Sequence, residues 1–265
     1  MQRLPSLPPA VSTYGADIDG IYTIITWITG AIFVIVEVAL VYFVFRYRHR
    51  EGRRAYFVHG NMRAEVLWTA VPFVLVVFIA AISMGPWLRI RDYGRFPKPD
   101  LQLLVTAKQF EWNVTYPGPD GQLNTGDDFV KRNRMDLPAG RNIVVTLQSE
   151  DVIHSFFVPQ FRVKQDAVPG MQIPVWFNVT RPGEYVLGCA ELCGNQHYRM
   201  RGTVVVHEGA AFDRWLQSGG RVAFDERPTA SSGVAAIARP APGTEAHAHR
   251  PASDVAADQT GHTGH

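Results

Sequence analysis

Residues 142–149 have the sequence NIVVTLQS, in which Ile143, Val145 and Leu147 occupy every second position. Successive side chains of a β-strand point to opposite faces of the sheet, so this spacing predicts a strand with one buried face. The same period of two recurs in three other segments, at Leu101, Leu103 and Val105, at Val175, Phe177 and Val179, and at Val204 and Val206. Turns rich in proline and glycine separate these segments, which predicts a β-sandwich or barrel.

Two segments outside these strands carry side chains that bind metals. His154 lies in EDVIHSF at residues 150–156, and residues 189–200 read CAELCGNQHYRM. Two thiolates, two imidazoles and a thioether are soft and borderline donors, which select copper over hard cations. Cys189 and Cys193 are four residues apart beside glycines, so a loop could direct both sulfurs into one cavity.

The second cysteine changes the kind of copper site that we expect. One thiolate, two imidazoles and a weak methionine ligand would form a mononuclear site. If both sulfurs bridge two coppers, the sequence predicts one capping imidazole for each copper and weak axial contacts from a thioether and a carbonyl. The predicted ligands are His154, Cys189, the carbonyl oxygen of Glu191, Cys193, His197 and Met200. The residues alone leave a Cys189–Cys193 disulfide and a tetrahedral zinc site open as alternatives.

Two apolar runs precede the predicted strands, from Ile18 to Phe45 and from Ala64 to about Leu88. Each exceeds the roughly 20 residues that a helix needs to cross the hydrocarbon core, which predicts a transmembrane hairpin. The segment before Ile18 lacks a cleavage-site pattern, so we expect the first helix to be retained. Glu37 lies near the middle of the first run, where we expect an ionisable side chain to pair with a partner subunit.

Arginines are concentrated between the two apolar runs, at Arg46, Arg48, Arg50, Arg53, Arg54 and Arg63. Only Arg3 precedes the first run, so we expect the connecting loop in the cytoplasm and both termini outside. The net charge of +2 gives no indication of a nucleic-acid partner.

Four separated stretches together resemble subunit II of the haem-copper cytochrome c oxidases. They are EVLWT at 65–69, SEDVIHS at 149–155, KQDAVPG at 164–170 and the cysteine segment at 189–200, and the resemblance extends over about residues 18 to 217. It implies a membrane-anchored all-β protein, with a two-helix hairpin followed by a cupredoxin-like β-sandwich. It also implies that the six ligands named above hold the binuclear copper centre called CuA, and that the Glu191 side chain meets a magnesium ion shared with subunit I.

The resemblance further implies a function in the bacterial plasma membrane, with the copper domain on the periplasmic face. The chain would accept electrons from a cytochrome c or a similar donor and pass them to haem in subunit I. Oxygen is reduced to water there, coupled to proton pumping, and subunit III is a further expected partner. A quinol oxidase subunit lacks these copper ligands, and nitrous oxide reductase needs a further large catalytic domain. A membrane-tethered copper carrier or a thiol-disulfide protein is the alternative from a different class.

Three further residues have roles that the resemblance implies. Glu65, at the start of the second helix, matches a glutamate at the mouth of a proton pathway in subunit I. Phe110 replaces a surface tryptophan that receives the electron in the family. Trp112 would share the same side of a strand, so both are candidates for the site of electron input.

We predict four segments along the chain: an outer N-terminal segment at 1–17, the helical hairpin at 18–94, the copper domain at 95–217 and a low-complexity tail at 218–265. A short helix from Ala210 to Gln217 would close the copper domain, with Trp215 packed on the sandwich. The tail has few large apolar residues, so we expect it to be disordered.

Overall fold

The computed structural model describes residues 7–54 and 56–221. Helix α1 spans Gly15–Arg46 and helix α2 spans Met62–Arg91, each a few residues longer than the apolar run that predicted it. Asn61 caps α2, because its side-chain oxygen accepts hydrogen bonds from two backbone amides of the first turn. Both helices are long and apolar enough to cross a membrane. The predicted disordered tail lies outside the described residues from position 222 onward.

In the part of the chain that the structure describes, ten strands follow the two long helices. They are β1 (Leu101–Lys108), β2 (Glu111–Tyr116), β3 (Phe129–Arg132), β4 (Arg134–Pro138), β5 (Asn142–Ser149), β6 (His154–Val158), β7 (Val163–Ala167), β8 (Ile173–Asn178), β9 (Gly183–Cys189) and β10 (Arg201–His207). They form two five-stranded sheets with the orders β3-β2-β1-β5-β8 and β4-β10-β9-β6-β7. Most neighbours are antiparallel, but β1 pairs in parallel with β5, and β4 pairs in parallel with β10. The predicted strand segments are therefore confirmed.

The alternation in the sequence corresponds to burial between the sheets. Ile143, Val145 and Leu147 of β5 have no solvent exposure, and the matching positions of β1 are also buried. The buried faces of both sheets contribute to one hydrophobic core, so the β-domain is a sandwich. Removal of this apolar surface from water is the main force that holds the two sheets together.

The segment before α1 packs into the β-domain, which the sequence did not predict. Val11 and Tyr14 are buried, and the Tyr14 hydroxyl donates a hydrogen bond to the carbonyl of Trp176. The backbone of Val11 exchanges hydrogen bonds with Gln160 and Thr180. This segment therefore completes one side of the domain, although some 150 residues separate it from its partners along the chain.

Ion pairs and hydrogen bonds join the helical hairpin to the β-domain. Asp19 of α1 pairs with Arg162, and their side chains are only 12% and 9% exposed. Within the hairpin, Asp17 of α1 pairs with Arg89 near the end of α2. The indole nitrogen of Trp176 donates to the carbonyl of Arg89 at 3.2 Å. The start of α1 and the end of α2 therefore lie at the same side of the β-domain.

Helix α3 (Gly209–Gln217) packs on the sandwich and closes it, as the sequence predicted. Trp215 is 4% exposed and packs edge-on against Tyr116 and Phe129. The Arg141 guanidinium holds both carboxylate oxygens of Asp213 at 2.6 Å, which fixes α3 against the start of β5.

Candidate metal centre

Three parts of the fold bring the predicted ligands together. His154 begins β6, Cys189 ends β9, and the remaining residues lie on the loop that leads to β10. The two sulfur atoms, Cys189 Sγ and Cys193 Sγ, are 3.8 Å apart. β6 pairs with β9 through Phe156 and Cys189, so the sheet itself sets the distance between the histidine and the first cysteine.

Each sulfur has one imidazole beside it. Nδ1 of His154 lies 3.9 Å from Cys189 Sγ, and Nδ1 of His197 lies 3.6 Å from Cys193 Sγ. The thioether sulfur of Met200 is 3.7 Å from Cys193 Sγ, and the carbonyl oxygen of Glu191 is 3.2 Å from Cys189 Sγ. All six predicted ligands are therefore in one cluster.

One side of the cluster is buried, and the other side is exposed to solvent. His154 has no exposed surface, and Cys193 and Met200 are 3% and 2% exposed. Cys189 and His197 are half-buried, and Glu191 is exposed. The site is therefore held by the core on one side and reaches the protein surface on the other.

Asp151 and Gln109 hold the ligand residues in place through hydrogen bonds. The sequence analysis assigned a role to neither residue. Oδ1 of Asp151 is 2.8 Å from Nε2 of His154, and Oδ2 accepts a hydrogen bond from the backbone amide of Gln109 at 2.7 Å. The Gln109 side-chain amide donates to the carbonyl of Cys193 at 2.6 Å. Asp151 stands three residues before His154, a spacing that could have drawn attention to it; Gln109 gave no such signal.

The two thiols influence each other electrostatically. Burial raises the pKa of Cys189, but hydrogen bonds with His154 and with the backbone outweigh burial and bring this pKa down to about 6. Burial and the negative charge of Cys189 raise the pKa of Cys193 to about 12. Two adjacent thiolates therefore need a positive charge between them before both can ionise.

A metal fits this requirement and this donor set. The ligand atoms of His154, Cys189 and Cys193 all lie within 4.8 Å of one another. The sulfur separation of 3.8 Å is far longer than the roughly 2.05 Å of a disulfide bond, so the thiols are free in this structure. A buried thioether beside the sulfurs suits a soft metal, whereas it adds nothing to a zinc site.

The candidates for electron input lie in two different environments. Phe110, in the turn between β1 and β2, is partly buried against the core. Trp112 has no solvent exposure, and its ring packs edge-on against His154 with the ring centroids 6.2 Å apart. The sequence predicted that Phe110 and Trp112 share one side of a strand. Phe110 instead lies in the turn before β2, and Trp112 lies in the core. The role of either residue in electron input stays a prediction.

Glu65 lies in the first turn of α2, remote along the chain from the metal cluster. Its side chain borders an apolar groove on α2 together with Val66, Thr69, Ala70 and Phe73. This position agrees with the predicted location at the start of the second helix, and the proton-pathway role stays a prediction.

Comparisons with known proteins agree with this architecture. Residues 3–85 match the family model described as cytochrome C oxidase subunit II, transmembrane domain, and residues 108–208 match the model for the periplasmic domain of the same subunit. The alternative cytochrome c oxidase subunit 2 of Bradyrhizobium diazoefficiens is 33% identical over 78% of this chain and 82% of its own length. Cytochrome c oxidase subunit 2 of Thermostichus vulcanus is 30% identical over 82% of this chain and 79% of its own length.

A solved structure is also similar to the β-domain. The periplasmic domain of subunit II of the Bradyrhizobium japonicum cytochrome oxidase is 33% identical, with 46% of this chain and 95% of that chain covered and a TM-score of 0.41. The family assignment rests on the sequence matches, which extend over both the helical hairpin and the β-domain. The chain is therefore a membrane-anchored, cupredoxin-like protein that belongs to the cytochrome c oxidase subunit II family.

Proposed function

We propose that this chain is the subunit through which electrons enter a terminal cytochrome c oxidase of a bacterial plasma membrane. A cytochrome c would deliver the electrons to a binuclear copper centre in the β-domain, and haem in subunit I would receive them. Oxygen reduction to water and proton pumping would take place in the partner subunit. The observation that carries the proposal is the pair of sulfurs 3.8 Å apart, each with one imidazole nitrogen within 3.9 Å.

The donor set indicates how the two coppers would be held. Cys189, Cys193, His154 and His197 would hold the two metals. Met200 and the carbonyl of Glu191 would be weak ligands. A bound copper pair supplies a one-electron carrier in which the charge is shared between two metals.

The surrounding residues favour a fixed geometry over exchange of the metal. The Asp151 carboxylate orients the His154 ring, and the Gln109 amide holds the loop at the carbonyl of Cys193. Trp112 and Phe156 pack edge-on and exclude water behind the site. A rigid, dry ligand set reduces the rearrangement that accompanies oxidation and reduction. This rigid ligand set supports an electron-transfer centre rather than a copper carrier, because a carrier needs an exposed and exchangeable site.

The same proposal extends to the partner subunits. Glu191 is exposed beside the metal cluster, so its carboxylate could bind a magnesium ion at the border with subunit I. Glu65 would lie at the cytoplasmic mouth of a proton pathway. The arginines between α1 and α2 favour a cytoplasmic location of that loop, and the copper domain would then lie on the periplasmic side. Subunit III is a further proposed partner.

Copper stoichiometry and electron paramagnetic resonance test the proposed centre. The full chain, purified in detergent and loaded with copper, should bind two coppers and give a hyperfine pattern from one electron shared by both. Cys193→Ser should leave one copper with a single-metal pattern, and the oxidase that carries this variant should lose turnover with cytochrome c. One copper in the wild-type chain, or normal turnover of Cys193→Ser, would refute the proposal.

A pair of methionine variants provides the matched control. Met200→Leu removes the buried thioether beside Cys193 and should change the copper spectrum. Met171→Leu alters an exposed methionine on a loop before β8, so its spectrum should match that of the wild-type chain. Equal spectra for both variants would show that Met200 is not a ligand.

A further inference from the structure

The chain folds back on the end of α1 through a tight turn. In this turn the backbone amide of Arg53 donates to the carbonyl of Arg50 at 3.2 Å. Gly52 has a φ of 78°, a left-handed conformation that glycine adopts without strain. The Arg53 guanidinium then donates to the carbonyl of Arg46, the last residue of α1, at 3.1 Å. The turn therefore brings an arginine from the connecting loop to the end of the helix.

Tyr47 lies beside two guanidinium groups at this point. The central carbon of the Arg46 guanidinium and that of Arg53 are each 5.5 Å from the centroid of the Tyr47 ring. An aromatic ring attracts a cation at this distance. Two positive groups at one ring also repel each other, so an anion that contacts both of them would stabilise the arrangement.

The positive charge around this ring has no counterion within the described part of the chain. Residues 46–54 contain five arginines and one acidic residue, Glu51. All five arginines are exposed, and none of them forms an ion pair within residues 7–54 and 56–221. The forked donors of a guanidinium group match the oxygens of a phosphate. The loop therefore offers unpaired phosphate-binding groups to another molecule.

The position of these arginines relative to the membrane identifies the kind of anion. Arg46 directly follows the apolar run that ends at Phe45, so its side chain lies where the hydrocarbon core meets the headgroups. The connecting loop also exposes three consecutive large side chains, Tyr56, Phe57 and Val58, at 90%, 77% and 66%. Aromatic residues beside basic residues are typical of segments at a membrane surface. The loop therefore suits a ligand with both a phosphate and an acyl chain.

We propose that Arg46, Tyr47 and Arg53 form a binding site for the phosphate of an anionic phospholipid. The two guanidinium groups bind the phosphate oxygens, and the exposed aromatic side chains of the loop contact the lipid below the headgroup. The helix C-terminus carries a partial negative charge that repels an anion. Because Arg53 donates to the carbonyl of Arg46, a positive group covers this end of the helix.

Other ligands match the loop less well. Phosphatidylcholine carries a cationic choline group, which the arginines repel. Inorganic phosphate has no acyl chain for the exposed side chains at 56–58. An acidic segment of a partner protein would neutralise the arginines but leave those apolar side chains without a matching surface. The site lies outside the β-domain, so its test does not depend on copper loading.

Photochemical labelling in native membranes tests which lipid occupies the site. Phosphatidylglycerol with a diazirine near its glycerol backbone is added to membranes that contain the full chain within its complex. Mass spectrometry should then find adducts on residues 46–58, severalfold more than with the matching phosphatidylcholine. Equal labelling by the two lipids, or no labelling of this segment, would overturn the proposal. Loss of the adducts in a large excess of inorganic phosphate would also overturn it.

Two single variants of the same charge test the location of the site. Arg53→Gln removes a guanidinium group from the Tyr47 ring and should lower the phosphatidylglycerol labelling about fivefold. Arg48→Gln removes an exposed arginine from the same loop and should change the labelling less than twofold. Equal losses in the two variants would show that the loop attracts lipid through its total charge, and the proposed site would be wrong.

A variant that keeps every charge tests the role of the ring. Tyr47→Leu retains all the arginines that orient the hairpin in the membrane, so its orientation should not change. The ring no longer aligns the two guanidinium groups, and labelling by phosphatidylglycerol should fall severalfold. Wild-type labelling in Tyr47→Leu would show that the ring does not form part of the site.

Discussion

The Asp151 carboxylate and the His154 imidazole form a contact of 2.8 Å, between Oδ1 and Nε2, that leaves Nδ1 directed towards Cys189. A carboxylate on one ring nitrogen fixes the orientation of the ring and strengthens the other nitrogen as a metal ligand. The same carboxylate accepts a hydrogen bond from the backbone of Gln109. The position of His154 therefore depends on the turn between β1 and β2 as well as on its own strand.

Replacement of Asp151 should weaken copper binding. Asp151→Ala leaves the His154 ring without its partner, so the affinity of the full chain for copper should fall by about 10- to 100-fold. Asp151→Asn retains an oxygen that can accept the hydrogen bond, so its loss should be smaller. Titration against a competing chelator measures the affinity. Asp120→Ala, in an exposed loop, is the control, and equal affinities for Asp120→Ala and Asp151→Ala would contradict the prediction.

Phe110 and Trp112 should affect different steps. A Cβ on Gly194 would come within 3.1 Å of the Phe110 ring, so this ring lies against the loop that carries Cys193. Phe110→Leu should slow electron transfer from cytochrome c severalfold without a change in the copper spectrum. Trp112→Phe should alter the spectrum, because the indole packs against His154.

Stopped-flow measurement of cytochrome c oxidation, together with paramagnetic resonance of the same samples, distinguishes these two effects. Normal transfer rates in Phe110→Leu would exclude that residue from the route of electron input. A spectrum that does not change in Trp112→Phe would indicate that this ring has no influence on the copper ligands.

Arg162 should stabilise the contact between the N-terminal segment and the β-domain. Its guanidinium contacts both carboxylate oxygens of Asp19 at 2.6 and 3.1 Å and donates to the carbonyl of Pro8 at 2.7 Å. Arg162→Ala leaves the poorly exposed Asp19 unpaired and should lower the free energy of unfolding by about 3 kcal/mol. Adding Asp19→Asn should recover part of that loss.

Thermal unfolding in detergent and amide hydrogen exchange at residues 10–14 are the measurements for Arg162. Exchange there should accelerate in Arg162→Ala but not in Arg214→Ala, which removes an exposed arginine from α3. Unchanged exchange in both variants would show that the ion pair does not hold the segment.

Asp136 should make the β-domain sensitive to acid. Burial raises the pKa of Asp136, but hydrogen bonds from His207 and Arg134 outweigh burial and hold this pKa below its usual range. A carboxyl group whose pKa is lower in the folded state stabilises the fold above its unfolded pKa of about 3.9. That stabilisation is lost as the pH falls through the lower folded pKa.

Measurement of the unfolding temperature between pH 7 and pH 3 tests the predicted loss of stability in acid. The wild-type midpoint should fall steeply below about pH 4, whereas Asp136→Asn should begin lower at pH 7 and change less with acid. Asp120→Asn, at an exposed position in the loop before β3, should follow the wild-type curve. Parallel curves for wild type and Asp136→Asn would exclude Asp136 as the source of the acid sensitivity.

The sequence by itself determined the elements of the fold and the donor set of the site. Two apolar runs gave the helical hairpin because a helix rises by a fixed distance per residue and the membrane core has a fixed thickness. Period-two patterns gave the strands because side chains alternate between the faces of a sheet. The segment from Cys189 to Met200 gave most of the ligands because they are close along the chain.

Only the tertiary structure decided the contacts between distant segments. Neither the packing of Tyr14 under Trp176 nor the hydrogen bond from Gln109 to the loop at Cys193 has a local pattern, since each joins parts of the chain that meet only after folding. Strand alternation suggested a shared side for Phe110 and Trp112, but Phe110 lies in the turn before β2 and Trp112 lies in the core. Local spacing sets which way a side chain points along an element, and packing between elements sets what it meets.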